Sequence, residues 1–145
     1  MLSYYNSSSV SVLVADDHEL TRLSLKLALA GQKNIHLVGL ASNGKEAVKM
    51  VESHRPDVII LDLHMPIMDG WSASSYIKNI NPQTKIIAYS AMEEKQAIAL
   101  QQKSNFDAFC SKETDTKELI KLVKELAKKA DSATSDSALR MEISS

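Results

Sequence analysis

The chain has 145 residues, with 17 Lys and Arg against 18 Asp and Glu for a net charge of −1. That is the size of one ordinary domain with room for a core, and it carries no basic excess of the kind that draws a protein to nucleic acid or an anionic membrane. No apolar run nears the roughly 20 residues of a membrane span, Met1 to Ser9 lacks the basic and apolar regions of a signal peptide, and the single Cys110 cannot form an internal disulfide, so a soluble cytoplasmic domain is expected.

Strand-like runs alternate with helix-like stretches five times, which predicts a parallel sheet with helices on both faces. Residues 1–9 read as a loose N-terminus, 10–130 as one domain and 131–145, rich in Ser, Ala and Asp, as a flexible tail. The first strand is Ser11 to Ala15. Leu20, Leu23, Leu27 and Ala30 then repeat at helical spacing and stop at Gly31, a typical residue just past a helix end. Ile35 to Ala41 reads as the second strand. Asn43 with Glu46 three residues on predicts a capped helix that turns Ala47, Val48 and Val51 inward and stops before Pro56.

Val58 to Leu61 is the third strand, and Met65 to Gly70 a tight loop after it. A helix with Ala73, Ile77 and Ile80 on one face ends at Asn81 and Pro82, before the fourth strand, Lys85 to Tyr89. The next helix, Glu93 to Ser104, is the weakest, with only Ala97, Ile98 and Leu100 to suggest a buried stripe and Asn105 to close it in the left-handed conformation. Ala108 to Ser111 is the fifth strand. The last helix, Thr116 to Ala130, places Leu119, Ile120, Val123, Leu126 and Ala127 inward and Lys117, Lys121, Lys124 and Lys128 largely outward.

Four of the five strands end in chemistry: Asp16 and Asp17, Asp62, Ser90, and Lys112. In an open parallel sheet these endings share the carboxyl edge, where such folds bind ligands. Three carboxylates brought together repel one another and call for a cation or raised pKa values. Mg²⁺ is the natural occupant, since it takes oxygen ligands and is held by one or two carboxylates plus phosphate oxygens. Each residue also has a plain reading: Asp16 and Asp17 as a helix cap, Asp62 as a strand end, Lys112 as a solvated charge. Their joint occurrence at four strand ends favours the phosphoryl-transfer site. Trp71 reads as a half-buried packing residue near that site, and Cys110 as a buried small hydrophobe. His18, His36 and His54 have no metal-ligand spacing with one another or with Cys110 and are given no site.

From about residue 10 to 130 the chain resembles the response regulator receiver domain of two-component signalling. The resemblance is carried by Val12-Leu13-Val14-Ala15-Asp16-Asp17-His18, by Asp57 through Gly70, by Ala88-Tyr89-Ser90-Ala91 and by Asp107 through Lys112. It is nearest to the NarL-type subgroup. It implies a flavodoxin-like (βα)5 fold, a doubly wound five-stranded parallel sheet of strand order 2-1-3-4-5. It further implies Asp62 as phosphoacceptor, and Asp16, Asp17, Asp62 and the backbone carbonyl of His64 around Mg²⁺, with Mn²⁺ as an alternative. Ser90 would be the switch hydroxyl, Phe109 the aromatic that follows it, Lys112 the phosphate-binding lysine, and Ala91 a small residue that leaves the site open.

The same resemblance implies a histidine kinase or phosphotransfer protein as donor, docking near the first helix on residues such as Leu20, Thr21 and Ser24. A downstream protein partner, and a dimer through the fourth and fifth helices, would carry output; neither nucleic acid nor membrane is expected as a partner of this chain alone. Catalysis would extend only to the domain's own phosphorylation and dephosphorylation, the latter slow because Met92 is bulky and apolar. Lys112 precedes Glu113 rather than proline, so a cis bond is not expected there. The alternative is the receiver part of a NarL-type DNA-binding regulator whose output domain lies beyond residue 145. A haloacid-dehalogenase-like phosphatase would need a second Asp two residues after the first, where His18 stands, and a flavodoxin would need a Ser/Thr/Gly phosphate cradle where the chain is acidic.

Overall fold

The computed structural model describes residues 9–101 and 105–128. Five strands, β1 (Val10–Ala15), β2 (Ile35–Ala41), β3 (Val58–Asp62), β4 (Lys85–Ser90) and β5 (Ala108–Ser111), form one sheet in the order β2-β1-β3-β4-β5. Every pairing is parallel, and the β1–β2 register slips once, between Val12 and Leu13. Helices α1 (Glu19–Ala30), α2 (Gly44–His54), α3 (Gly70–Ile80) and α4 (Glu94–Gln101) alternate with the strands. A fifth, α5, covers 116–128. This is the flavodoxin-like doubly wound arrangement that the resemblance implies. The expected loose ends lie outside the described residues except for Ser9, as do 102–104, where α4 would finish against Asn105.

Because β1, β3 and β4 are covered on both faces, their side chains are apolar in both directions. Val12, Val14, Ile60 and Ile87 pack under α1 and α5, against Leu25, Leu29, Leu119 and Val123. Leu13, Ile59, Leu61 and Ile86 pack on the other face, against Ala47 and Val51 of α2 and Ala73 and Ile77 of α3. The start of β5 is pinned by Asp107, whose Oδ2 accepts from the Ile86 amide and from Lys78 Nζ, both at 2.8 Å. The α2 cap is as expected: Asn43 Oδ1 accepts the Glu46 amide at 2.9 Å, while Glu46 turns back to accept from the amide and hydroxyl of Ser42.

The structure orients α1 and corrects one local expectation, on α4. The stripe of Leu20, Leu23 and Leu27 is 80%, 49% and 67% exposed, and α1 instead buries Leu25 and Leu29. Helical spacing shows which residues share a face, and α1 carries two leucine faces. The inward one is selected by the turn after β1, where Arg22 reaches back to donate to the Asp16 carbonyl at 2.7 Å. α1 stops at Gly31 as expected, and Gly31 has φ −76°, outside the left-handed region. Ile98 is 53% exposed, which leaves Ala97 as the buried contact of α4 among residues whose side chains are described.

Candidate functional site

Asp16 follows β1, Asp62 and Ser90 end β3 and β4, and Lys112 follows β5, so the strand order brings four of these endings side by side at the carboxyl edge. Asp16 and Asp62 are almost fully buried, at 1% and 2% exposure. Lys112 Nζ enters between them, 2.9 Å from Asp16 Oδ2 and 3.4 Å from Asp62 Oδ1. Its own backbone is fixed by a hydrogen bond from its amide N–H to the Ser90 carbonyl at 2.9 Å, and its ammonium lies 5.7 Å from the centroid of the Tyr89 ring. Asp17, also at the edge, is more open to solvent. The alternative reading of the acidic pair as a helix cap fails: His18 is the N-cap of α1 and makes no side-chain cap.

Burial pushes the Asp62 carboxyl above its ordinary pKa, and the Asp16 charge pushes it further; the His64 amide and Lys112 pull the other way. For Lys112, burial opposes the ammonium, but the Asp16 and Asp62 carboxylates outweigh it and hold its pKa above the usual value. Asp62 Oδ1 accepts the His64 amide at 3.2 Å. Asp62 Oδ2 has no hydrogen-bond partner among the described residues, although it is buried. A buried carboxylate oxygen with no donor is costly. Asp16, Asp17, His18 and Asp62 each present a ligand atom within 4.8 Å of the others, a set that fits a divalent cation.

The β3–α3 loop is held against the pocket by two glycines. A Cβ on Gly70 would stand 2.2 Å from the Asp62 carbonyl, and one on Gly44 would stand 2.3 Å from that of Met68. Their amides bind the Leu63 and Met68 carbonyls at 3.1 and 2.9 Å. Between them Ile67 has φ 69°, with the Met68 amide bonded to the Pro66 carbonyl at 2.7 Å, a tight turn that a β-branched residue seldom occupies.

Ser90 is buried, and its Oγ accepts the Met92 amide at 3.2 Å. Ala91 is exposed. Phe109 is half-buried between two spaces: a void of about 10 Å³ shared with Leu63, Trp71, Met92, Ala97 and Phe106, and an open groove against α5. Trp71 is half-buried as expected, its ring centroid 5.0 Å from that of Phe106. Cys110 is buried, and burial raises its thiol pKa. No cis peptide bond occurs among the described residues. What residue spacing missed is His18: its Nδ1 lies 3.1 Å from Asp17 Oδ1 and 3.3 Å from Asp16 Oδ1. The available signal was its position next to the acidic pair in a turn at a strand end.

A doubly wound sheet with a buried carboxylate pocket and a lysine at its carboxyl edge fits a receiver-type signalling domain. The response regulator receiver domain family matches residues 12–124, and the chain belongs to it. The response regulator protein VraR of Staphylococcus aureus is 31% identical over 120 residues, 83% of this chain and 57% of VraR, so the chain spans little more than half the length of that relative. Among solved structures, the NarL receiver domain of Mycobacterium tuberculosis is 30% identical with TM-score 0.78, covering 83% of this chain and 98% of that one. A chain of the CheX–CheY–BeF3–Mg complex from Borrelia burgdorferi is 25% identical with TM-score 0.75, covering 84% and 92%. No helix among the described residues is long and apolar enough to cross a membrane.

Proposed function

We propose that Asp62 is the phosphoacceptor of this receiver domain, taking a phosphoryl group from the phosphohistidine of a histidine kinase or phosphotransfer protein. The observation that carries this reading is Asp62 Oδ2, a buried carboxylate oxygen without a hydrogen-bond partner, beside a lysine at the carboxyl edge. In the reaction Asp62 Oδ2 attacks phosphorus in line, a P–O bond forms, the P–N bond to the donor imidazole breaks, and the imidazole keeps the electron pair. Lys112, held between Asp16 and Asp62, turns its positive charge to the incoming phosphoryl oxygens. Asp16, Asp17, Asp62 and the His64 carbonyl would hold Mg²⁺, or Mn²⁺ in its place. When bound, the cation supplies positive charge against the phosphoryl oxygens and offsets the mutual repulsion of the carboxylates.

Ser90 and Phe109 would convert the new charge into a change of surface. The Ser90 hydroxyl is buried at the end of β4, and the half-buried Phe109 on neighbouring β5 lines both a small void and the open groove against α5, a placement that suits a side chain that would follow Ser90. The change would be read by a downstream protein at α4 and α5, or by dimerisation through those helices, in the cytoplasm. The exposed leucines of α1 support that helix as the face on which the donor docks. A second reading, favoured by the length of VraR relative to this chain, makes the domain the control unit of a longer DNA-binding regulator.

The deciding experiment is intact mass spectrometry after treatment with acetyl phosphate, with and without Mg²⁺, on wild type and Asp62→Asn. The expected result is a gain of one phosphoryl group that requires Mg²⁺ and vanishes in the variant. A gain retained by Asp62→Asn would move the acceptor elsewhere and end this assignment.

A further inference from the structure

His18 has no part in the phosphoryl transfer proposed above, yet its ring lies at the mouth of the carboxylate pocket. The backbone puts it there. His18 is the N-cap of α1, its amide donates to Asp16 Oδ1 at 2.9 Å, and its carbonyl accepts the Arg22 amide at 3.1 Å. The side chain itself is 68% exposed, so the imidazole is free to turn over Asp16 and Asp17.

Ligand atoms on adjacent corners of an octahedron with bonds of about 2.1 Å stand about 3.0 Å apart, and opposite ones about 4.2 Å. The 3.1 and 3.3 Å from Nδ1 to the two aspartates match adjacent corners. The 4.8 Å that bounds the whole set closes on opposite corners with a shift of about half an ångström. An imidazole–carboxylate hydrogen bond alone would give the same 3.1 Å. It would leave Asp62 Oδ2 buried in the same cluster without a partner, whereas a cation at the centre satisfies all four residues.

We infer that His18 is a ligand, through Nδ1, of the divalent cation in this pocket and biases the site toward first-row transition ions over Mg²⁺. The inference rests on the carboxylate pocket being a cation site and assigns its metal preference. An all-oxygen set is the natural environment of Mg²⁺, and an imidazole nitrogen adds little to it. The same nitrogen strengthens binding along the series Mn²⁺, Co²⁺, Ni²⁺. His18 is thus the residue that sets selectivity, and Mn²⁺ or Co²⁺ is expected to outcompete Mg²⁺ at equal concentration.

Two measurements on the full chain test it. Isothermal titration calorimetry with Mg²⁺, Mn²⁺ and Co²⁺ compares wild type with His18→Gln. Pulsed electron spin resonance of the Mn²⁺-loaded protein, labelled with ¹⁵N-histidine, looks for nitrogen coupling to the metal. The expected result is that His18→Gln leaves Mg²⁺ affinity within about twofold and weakens Co²⁺ and Mn²⁺ by about tenfold. The ¹⁵N coupling appears in wild type and is lost in the variant. Normal Mg²⁺ binding with no ¹⁵N coupling and an unchanged preference overturns His18 as a ligand and spares the pocket. Absence of Mg²⁺ binding in both proteins overturns the pocket reading itself.

Discussion

Lys112 and Asp62 show how burying two carboxylates beside one lysine strains the protein that carries them. Asp62 is held above its ordinary pKa, first by burial and then by Asp16. Its folded state therefore keeps a proton over a pH range in which the unfolded chain has lost it. Stability then falls as pH rises through the range above the ordinary value of 3.8. In the metal-free protein, Asp62→Asn removes that cost. It is expected to raise the melting temperature at pH 7 by about 3–4 °C, corresponding to about 1 kcal/mol, and the gain should disappear near pH 4. Lys112→Ala should act in the opposite sense, costing about 2 kcal/mol at pH 7 because Asp16 and Asp62 then face each other without a cation. Combining the two substitutions tests the coupling: denaturation midpoints should show Asp62→Asn gaining more stability in the Lys112→Ala background than it gains in the wild type. Strict additivity would mean that the lysine does not act on Asp62.

At the scale of the element, the β3–α3 loop carries a different kind of strain. Ile67 holds φ 69° while 79% exposed, so it occupies an unfavourable backbone region and gains little burial in return. Such a conformation costs on the order of 1–3 kcal/mol for a β-branched residue. Glycine adopts it freely but loses more entropy on folding, by roughly 0.5–1 kcal/mol. Ile67→Gly is accordingly expected to raise the urea midpoint, by about 0.5–1 kcal/mol in stability; a lowered midpoint would show that the turn is not strained. This loop was recognisable in the chain from Met65 through Gly70, and so was the α2 cap, because turn and cap chemistry are local. The pocket was legible for a related reason: once five parallel strands are read, their carboxyl ends must share one edge. The inward face of α1 was not legible. Leu20, Leu23 and Leu27 repeat as well as Leu25 and Leu29 do, and the choice between them depends on how Arg22 and Asp16 set the helix on the sheet. The nearness of His18 to the carboxylates escaped because side chains gathered across strand ends leave no fixed spacing in sequence.

For the molecule as a whole, the consequence of the α1 orientation is an asymmetric surface. One face of α1 is buried with α5 on the sheet, while Leu20 and Leu27 stand 80% and 67% exposed on the helix that begins right after Asp16 and Asp17. Isolated surface leucines are ordinary, but here they repeat along one helix beside the pocket. On the proposed function, a protein donor would bring its phosphohistidine to Asp62 and rest on the rim of that pocket, whereas acetyl phosphate needs no such footing. The two donors should therefore respond differently to Leu20→Ala combined with Leu27→Ala. These positions contribute little to the core, so the melting temperature should barely change. Phosphorylation by acetyl phosphate, read by intact mass, should proceed at the wild-type rate. Transfer from a phosphorylated histidine donor should slow by about tenfold or more, the scale expected when anchoring apolar contacts are truncated. Equal slowing with both donors would place the effect in the pocket rather than on the surface, and no slowing with either would remove α1 as the docking face.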